Sequence, residues 1–329
     1  MDSILTLAAT NLVSPIILSF LLGLVAALFR SDLSFPEAIA KGLSLYLLFA
    51  IGFKGGAGVA AHGVDAKLMS ALLAGIALSL LLPFIAFALL RAVARVSPID
   101  AAAVAGHYGS ISIVTFVATS SLLSGLGVLA ESYMVAVAAT MEAPAILSAL
   151  WLASSRGGGA KRVGSELWRE MLLNGSIGLR MGAFVIGWVT GEKGLAEIDS
   201  FIVDPFKGVL CLFLLDMGLV AGRGLRTSRG VLSTGVVAFG FLMPLVGASM
   251  GLVAGLALGL SYGGSVLLMV LAASASYIAA PAAMRVALPE ANPALSLTLA
   301  LGITFPFNLT LGIPLYLMVA GAVTGTPSP

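Results

Sequence analysis

Gly106-His107-Tyr108-Gly109-Ser110-Ile111-Ser112-Ile113-Val114-Thr115 lies within one apolar segment, and Ala272-Ala273-Ser274-Ala275-Ser276-Tyr277-Ile278-Ala279-Ala280-Pro281 lies within another. Small hydroxyl residues beside Gly or Pro accommodate an interrupted helix, so each stretch predicts a helix broken inside a bilayer. The surroundings require a bilayer. The chain of 329 residues is 59% hydrophobic and 10% charged, with a mean hydropathy of +1.09. A soluble domain carries about 25% charge, so this composition belongs to an integral membrane protein. The 39 glycines and 14 prolines favour closely packed, interrupted helices.

A membrane helix needs roughly 20 apolar residues, and cutting the chain at its polar and Gly/Pro clusters gives about ten segments. They are 12–29, 36–53, 66–90, 100–125, 132–153, 172–190, 201–222, 231–259, 263–288 and 295–322. No basic residue precedes the first segment, so no secretory signal is expected there. The loops after the odd-numbered segments hold Arg30, Arg91, Arg95, Arg156, Lys161, Arg162, Arg169, Arg223, Arg226, Arg229 and Arg285, against Lys54, Lys67 and Lys193 on the other side. The basic side is cytoplasmic by the positive-inside rule, which puts both termini outside. Residues 156–170 form a short, basic, glycine-containing connector between a first half, 1–155, and a second, 171–329.

The halves resemble one another. Lys41-Gly42 aligns with Lys207-Gly208, bringing Gly52, Gly56 and Gly58 onto Gly218, Gly222 and Gly224. Leu82-Pro83-Phe84 falls on Met243-Pro244-Leu245, Ser110-Ile111-Ser112 on Ser274-Ala275-Ser276, and Pro144 on Pro306. With an odd number of spans in each half, the second copy enters the membrane upside down. The expectation is an all-α membrane protein with a five-plus-five inverted repeat of about ten helices, the fourth and ninth interrupted, as in secondary transporters.

Polar residues at membrane depth mark the candidate sites. Gly109, Ser110 and Ser112, facing Ala273, Ser274, Ala275 and Ser276, could hold an anion on freed backbone N–H groups and helix dipoles. The bland alternative is close helix packing by small residues. Glu142 aligns with Thr304 and Pro144 with Pro306, and Thr140 and Asn308 lie beside them. A carboxylate here costs roughly 3 kcal/mol unless it meets a cation, a proton or a partner. With hydroxyls, an amide carbonyl and freed backbone carbonyls, it makes a hard-oxygen set suited to sodium. A protonated structural Glu142 is the alternative. Asp216 is a second candidate cation or proton site, aligned with Ala50. His107 reads as a hydrogen-bonded packing residue rather than a proton shuttle, and Arg180 as a side chain snorkelling towards the cytoplasm or pairing with an acid on a neighbouring helix.

Other classes are disfavoured. A net charge of +2 is too small to suggest nucleic-acid binding. There is no nucleophile elbow and no phosphate-binding G-x-x-x-x-G-K-[ST], so neither hydrolysis nor direct use of ATP is expected, and no organic cofactor. The single cysteine, Cys211, lies in an apolar run and reads as packing.

The stretches Gly106–Ser112 with Thr115-Phe116, Ala139–Pro144, Ala275–Ala283 and Pro289-Glu290-Ala291-Asn292-Pro293 together resemble the SbtA family of sodium-dependent bicarbonate transporters over nearly the full chain. The resemblance implies a homotrimer that couples sodium to bicarbonate uptake across the bacterial plasma membrane, with a core domain moving against a gate or scaffold. It places bicarbonate at the two hydroxyl segments, with sodium close by. Some members carry a longer cytoplasmic segment and bind a PII-like regulator there; the short connector here argues against that partner. A proton-coupled carrier of another small anion and a non-transporting membrane receptor are the competing readings.

Overall fold

In a computed structural model the described residues are 13–155, 175–227 and 232–325, so the connector 156–170 lies outside them. Helices account for the architecture, with no strand among the described residues. In chain order they are α1 (Pro15–Leu28), α2 (Glu37–His62), α3 (Ala66–Val93), α4 (Pro98–Gly109), α5 (Ile113–Gly125), α6 (Met134–Thr140), α7 (Ala143–Ser155) and α8 (Gly175–Glu197). There follow α9 (Asp199–Ile202), α10 (Phe206–Thr227), α11 (Thr234–Ala257), α12 (Tyr262–Ala273), α13 (Ala279–Ala287) and a last helical rod, α14 (Pro293–Thr324), with π-helical turns at Thr298–Thr304 and Asn308–Gly312. Among the described residues seven helices or helix pairs are long and apolar enough to cross a bilayer, and α1 and α12 are shorter apolar helices. The chain is a multi-pass membrane protein.

Local chemistry sets the helix starts. Ser14, Asp65, Ser97, Ser233, Ser261 and Asn292 each cap a helix by accepting a first-turn backbone N–H. Pro15, Pro98 and Pro293 occupy first helical positions, where no N–H is needed. The fourth and ninth segments are broken as expected, at Ser110–Ser112 and at 274–278. The fifth is broken too, at Met141-Glu142 between α6 and α7, just ahead of Pro144. The second segment runs on to His62, so Lys54 lies inside a helix and not in a loop; its ammonium sits 4.2 Å from the centre of the Phe206 ring. The apolar residues beyond it, Ala57, Val59 and their neighbours, keep the helix going where the sequence suggested a stop.

The pair α4–α5 is buried from Ala101 to Thr119, and α12 from Gly263 to Ala273. Around them α8 packs along α2, α10 along α1, α4 along α3 and α12 along α11. Glycines set the first two of these contacts. Added Cβ atoms would run into backbone at Gly56 (Phe184 carbonyl), Gly187 (Phe53 carbonyl), Gly218 (Phe20 carbonyl) and Gly23 (Leu215 carbonyl). The α2–α8 and α1–α10 contacts thus have the same form, with Gly56 in the place of Gly218 and Gly187 in that of Gly23. This matches the halves one helical turn away from the sequence alignment, which had put Gly56 on Gly222. In the packed register Asp216 corresponds to Lys54 and not to Ala50.

Small residues let these backbones approach. Gly56→Ala is expected to lose about 1–3 kcal/mol by overpacking. Gly42→Ala, in the same helix with nothing within 4 Å of the new methyl, should be neutral or gain up to about 1 kcal/mol. Thermal unfolding of the purified variants in detergent checks the difference; equal shifts would exclude the packing account.

Candidate functional site

The two helix breaks meet. The Ser112 N–H donates to Ser274 Oγ at 2.9 Å, and the Ser276 N–H donates to the His107 carbonyl at 2.8 Å. His107 returns a bond through its ring, with Nδ1–H donating to the Ser276 carbonyl at 2.7 Å. That contact requires a proton on Nδ1 and makes His107 a buried tie between the breaks, the packing role expected of it. Each break also caps the helix that follows. Ser112 Oγ accepts from the Thr115 N–H and hydroxyl, and Ser276 Oγ accepts from the Ala280 N–H. The N-termini of α5 and α13 therefore converge on one place, with their remaining first-turn N–H groups carrying positive dipole ends.

A small crevice opens there. Ile111, Ser112 and Ile113 line it from the first break, Ser276, Tyr277 and Ile278 from the second, Leu48 from α2, and Glu142 from the gap between α6 and α7. Three of the expected site residues, Ser112, Ser276 and Glu142, are thus brought to one cavity. Ser110 is beside it in sequence, and its buried hydroxyl has no hydrogen-bond partner among the described residues. Gly109 ends α4 against the ring of Pro83, which leaves no room for a Cβ. Ala273 ends α12, and Ala275 is buried between the two serines.

The expected cation ligands fare differently from one another. Glu142, 7% exposed, pairs with Arg180, 1% exposed, through Oε2 and NH2. Arg180 does not snorkel. It points inward from α8 because the buried carboxylate offers it a partner that lipid and headgroups do not, and the acid on a neighbouring helix is Glu142. Thr304 accepts from the Tyr108 hydroxyl at 2.6 Å and donates to the Gly240 carbonyl at 2.8 Å. Asn308 donates through Nδ2 to the Ala273 carbonyl at 3.0 Å and accepts from the Tyr316 hydroxyl at 2.8 Å. Both Thr304 and Asn308 are therefore engaged within the protein around the second break, with Asn308 holding the end of α12. Thr140 bonds back to the Val137 carbonyl of its own helix. Asp216 is buried on α10 and lines no part of the crevice.

A second pocket, lined by Ala103, His107, Pro281, Met284 and Arg285 among others, reaches His107 from the end of α13. The sequence reading left out Tyr277, Tyr108 and Tyr316, whose hydroxyls sit at or support the breaks. The available signal was the tyrosine adjoining each cluster, Tyr108 and Tyr277, in otherwise apolar sequence.

Comparison with known proteins places the chain in a family. Residues 15–321 match the model of the Na+-dependent bicarbonate transporter superfamily, and the chain belongs to that superfamily. A search among curated proteins gives no match.

The two serines that lead the breaks differ in what they do. Ser274→Ala removes the acceptor of the buried Ser112 N–H and should lower stability by about 1–3 kcal/mol. Ser110→Ala removes a hydroxyl with no partner and should leave stability unchanged within about 0.5 kcal/mol. Unfolding midpoints of the two variants in one detergent test the contrast, and a greater loss for Ser110→Ala would contradict the hydrogen-bond assignment.

Proposed function

We propose that this member of the superfamily is a sodium-dependent bicarbonate symporter that imports HCO3− by alternating access. The observation that carries the reading is the meeting of two buried helix breaks around a crevice that also holds a carboxylate. Bicarbonate has one negative charge and three oxygens. The N-termini of α5 and α13, with the hydroxyls of Ser110, Ser112 and Ser276, supply donors and positive dipole ends on both sides of it, and Gly109, Ala273, Ser274 and Ala275 shape the breaks around it. Sodium is assigned to Glu142, supported by Thr140, Thr304 and Asn308, with Asp216 as a second cation site. No organic cofactor is needed, and sodium is the coupling ion.

Energetics favour coupling. Bringing a monoanion alone into a cell at about 100 mV inside-negative costs roughly 2.3 kcal/mol, enough to deplete it about fiftyfold. One sodium per bicarbonate makes the step electroneutral, and a tenfold inward sodium gradient then supplies about 1.4 kcal/mol.

The architecture we propose is a five-plus-five inverted repeat of ten spans in the bacterial plasma membrane, assembled as a homotrimer with both termini outside. The matching α2–α8 and α1–α10 contacts support the repeat. In this scheme α1, α2, α8 and α10 form the scaffold, and the helices carrying the breaks form the moving core. A short connector leaves a PII-like regulator without an evident docking segment.

Uptake of labelled bicarbonate into proteoliposomes, with and without an inward sodium gradient, tests the proposal. Sodium-stimulated uptake is expected. Sodium-independent uptake would point to a proton-coupled carrier, and ligand binding without flux to a receptor. Glu142→Gln should weaken the sodium dependence, and an unchanged sodium response in the folded variant would exclude Glu142 from the cation site. Ser110→Ala should weaken apparent bicarbonate affinity several-fold, the equivalent of about 1 kcal/mol for one hydrogen bond. The bulkier Ser110→Leu should fill the site and block uptake; wild-type uptake in that variant would place the anion elsewhere.

A further inference from the structure

Arg180 is a charged side chain with no task in the scheme above. It is buried on α8, and only NH2 of its guanidinium is engaged, with Glu142. The other terminal nitrogen, NH1, and Nε are both buried and have no hydrogen-bond partner among the described residues. Buried donors are nearly always satisfied, so idle donors on two nitrogens indicate an incomplete site. The setting says what is missing. Glu142 lines the crevice with Ser112, Ser276 and Tyr277, which brings the ion pair to the edge of the candidate anion site, where the Ser110 hydroxyl is likewise without a partner among the described residues. The absent group is one that accepts hydrogen bonds, and a guanidinium fork suits a planar oxyanion that can take two parallel N–H bonds.

We infer that the Glu142–Arg180 pair makes sodium and bicarbonate bind together: sodium takes the carboxylate while the guanidinium takes the bicarbonate. This rests on the sodium and bicarbonate reading above and adds to it an anion ligand from outside the helix breaks. The reason is charge balance in a dry interior. With the site empty, the two side chains neutralise one another. With both ions bound, each side chain has a counter-ion. Sodium alone would leave Arg180 unpaired, and bicarbonate alone would face Glu142, and removing one partner of a buried ion pair is strongly unfavourable. Singly loaded states are thereby suppressed. Because α8 carries Arg180 and the α6–α7 gap carries Glu142, the pair also bridges the proposed scaffold and core, so the exchange of partners occurs where those two bodies meet.

The test is calorimetric titration of the purified, folded protein with sodium, at zero and at saturating bicarbonate and fixed pH. In the wild type, bicarbonate should raise sodium affinity at least tenfold. In Arg180→Gln that factor should fall below about threefold, and sodium should bind more tightly than to the wild type in the absence of bicarbonate, since its ligand is no longer held by a cation. A wild-type coupling factor in Arg180→Gln overturns the inference. Should that variant fail to fold, the double variant Glu142→Gln/Arg180→Gln puts a neutral amide pair in its place. It should bind bicarbonate more weakly, with no dependence on sodium, and retained coupling there overturns the inference equally. The two readings fail separately. A wild type that takes up bicarbonate without sodium overturns the function together with the inference, whereas sodium-dependent uptake with coupling unaltered in the variants overturns the inference alone.

Discussion

A helix interrupted at membrane depth exposes backbone N–H and C=O groups where no water can satisfy them, and the rest of this structure follows from how those groups are paired. Neither break satisfies itself. The Ser112 N–H needs Ser274 Oγ, the Ser276 N–H needs the His107 carbonyl, and the Ser276 carbonyl takes the His107 ring. The Ala273 carbonyl is met by Asn308 from a third helix, and Tyr316 holds Asn308 in turn. The breaks are stable only as a crossed pair. That requirement explains why α4, α5 and α12 are the most enclosed helices.

The same dryness governs the charges. A lone carboxylate at Glu142 or a lone guanidinium at Arg180 would be expensive in this interior, and the two neutralise each other across a boundary between helices. Lys54 is handled differently. Its ammonium lies over the Phe206 ring, and its place in the α2–α8 contact corresponds to that of Asp216 in the α1–α10 contact. Two positions matched in packing thus carry opposite charge. The two contacts share a backbone form but not a charge pattern, and Glu142 in the crevice has no charged counterpart at Thr304 either.

Much of this was legible in the sequence. The apolar runs gave a multi-pass helical membrane protein, with seven helices or helix pairs among the described residues long and apolar enough to cross a bilayer where ten spans were expected, and Ser-Ile-Ser and Ser-Ala-Ser beside Gly and Pro gave the two broken helices because those residues have few other uses in lipid. Glu142 was legible for the same reason, and the structure puts it in the crevice with Ser112 and Ser276. What could not be read was pairing across space. Arg180 sits near the start of its span, where snorkelling and inward pairing look alike in sequence, and only the packing of α8 on α2 turns it towards Glu142. The repeat register failed for a related reason. Glycines recur one turn apart in these helices, so an alignment by glycine alone slips by a turn, and the backbone contacts of Gly56 and Gly218 are needed to fix it.

The slip has a physical lesson for reading membrane repeats. A one-turn shift of a helix leaves the same face against the same neighbour, so apolar pattern and small-residue pattern are both preserved and neither can detect it. A crossing of glycine on glycine can: Gly56 and Gly187, like Gly218 and Gly23, each lie against the carbonyl three residues ahead of the other, whereas Gly52 and Gly222 meet carbonyls three residues ahead of alanines. In this protein the contacts at Gly56, Gly187, Gly218 and Gly23 therefore carry more information about correspondence than the longer run of matching letters, and they decide which polar residues are compared with which. Matched by letters, Asp216 has an alanine as its counterpart and looks like an isolated insertion of charge; matched by contact, it answers a lysine, and the question becomes how one fold accommodates charges of opposite sign at two related places.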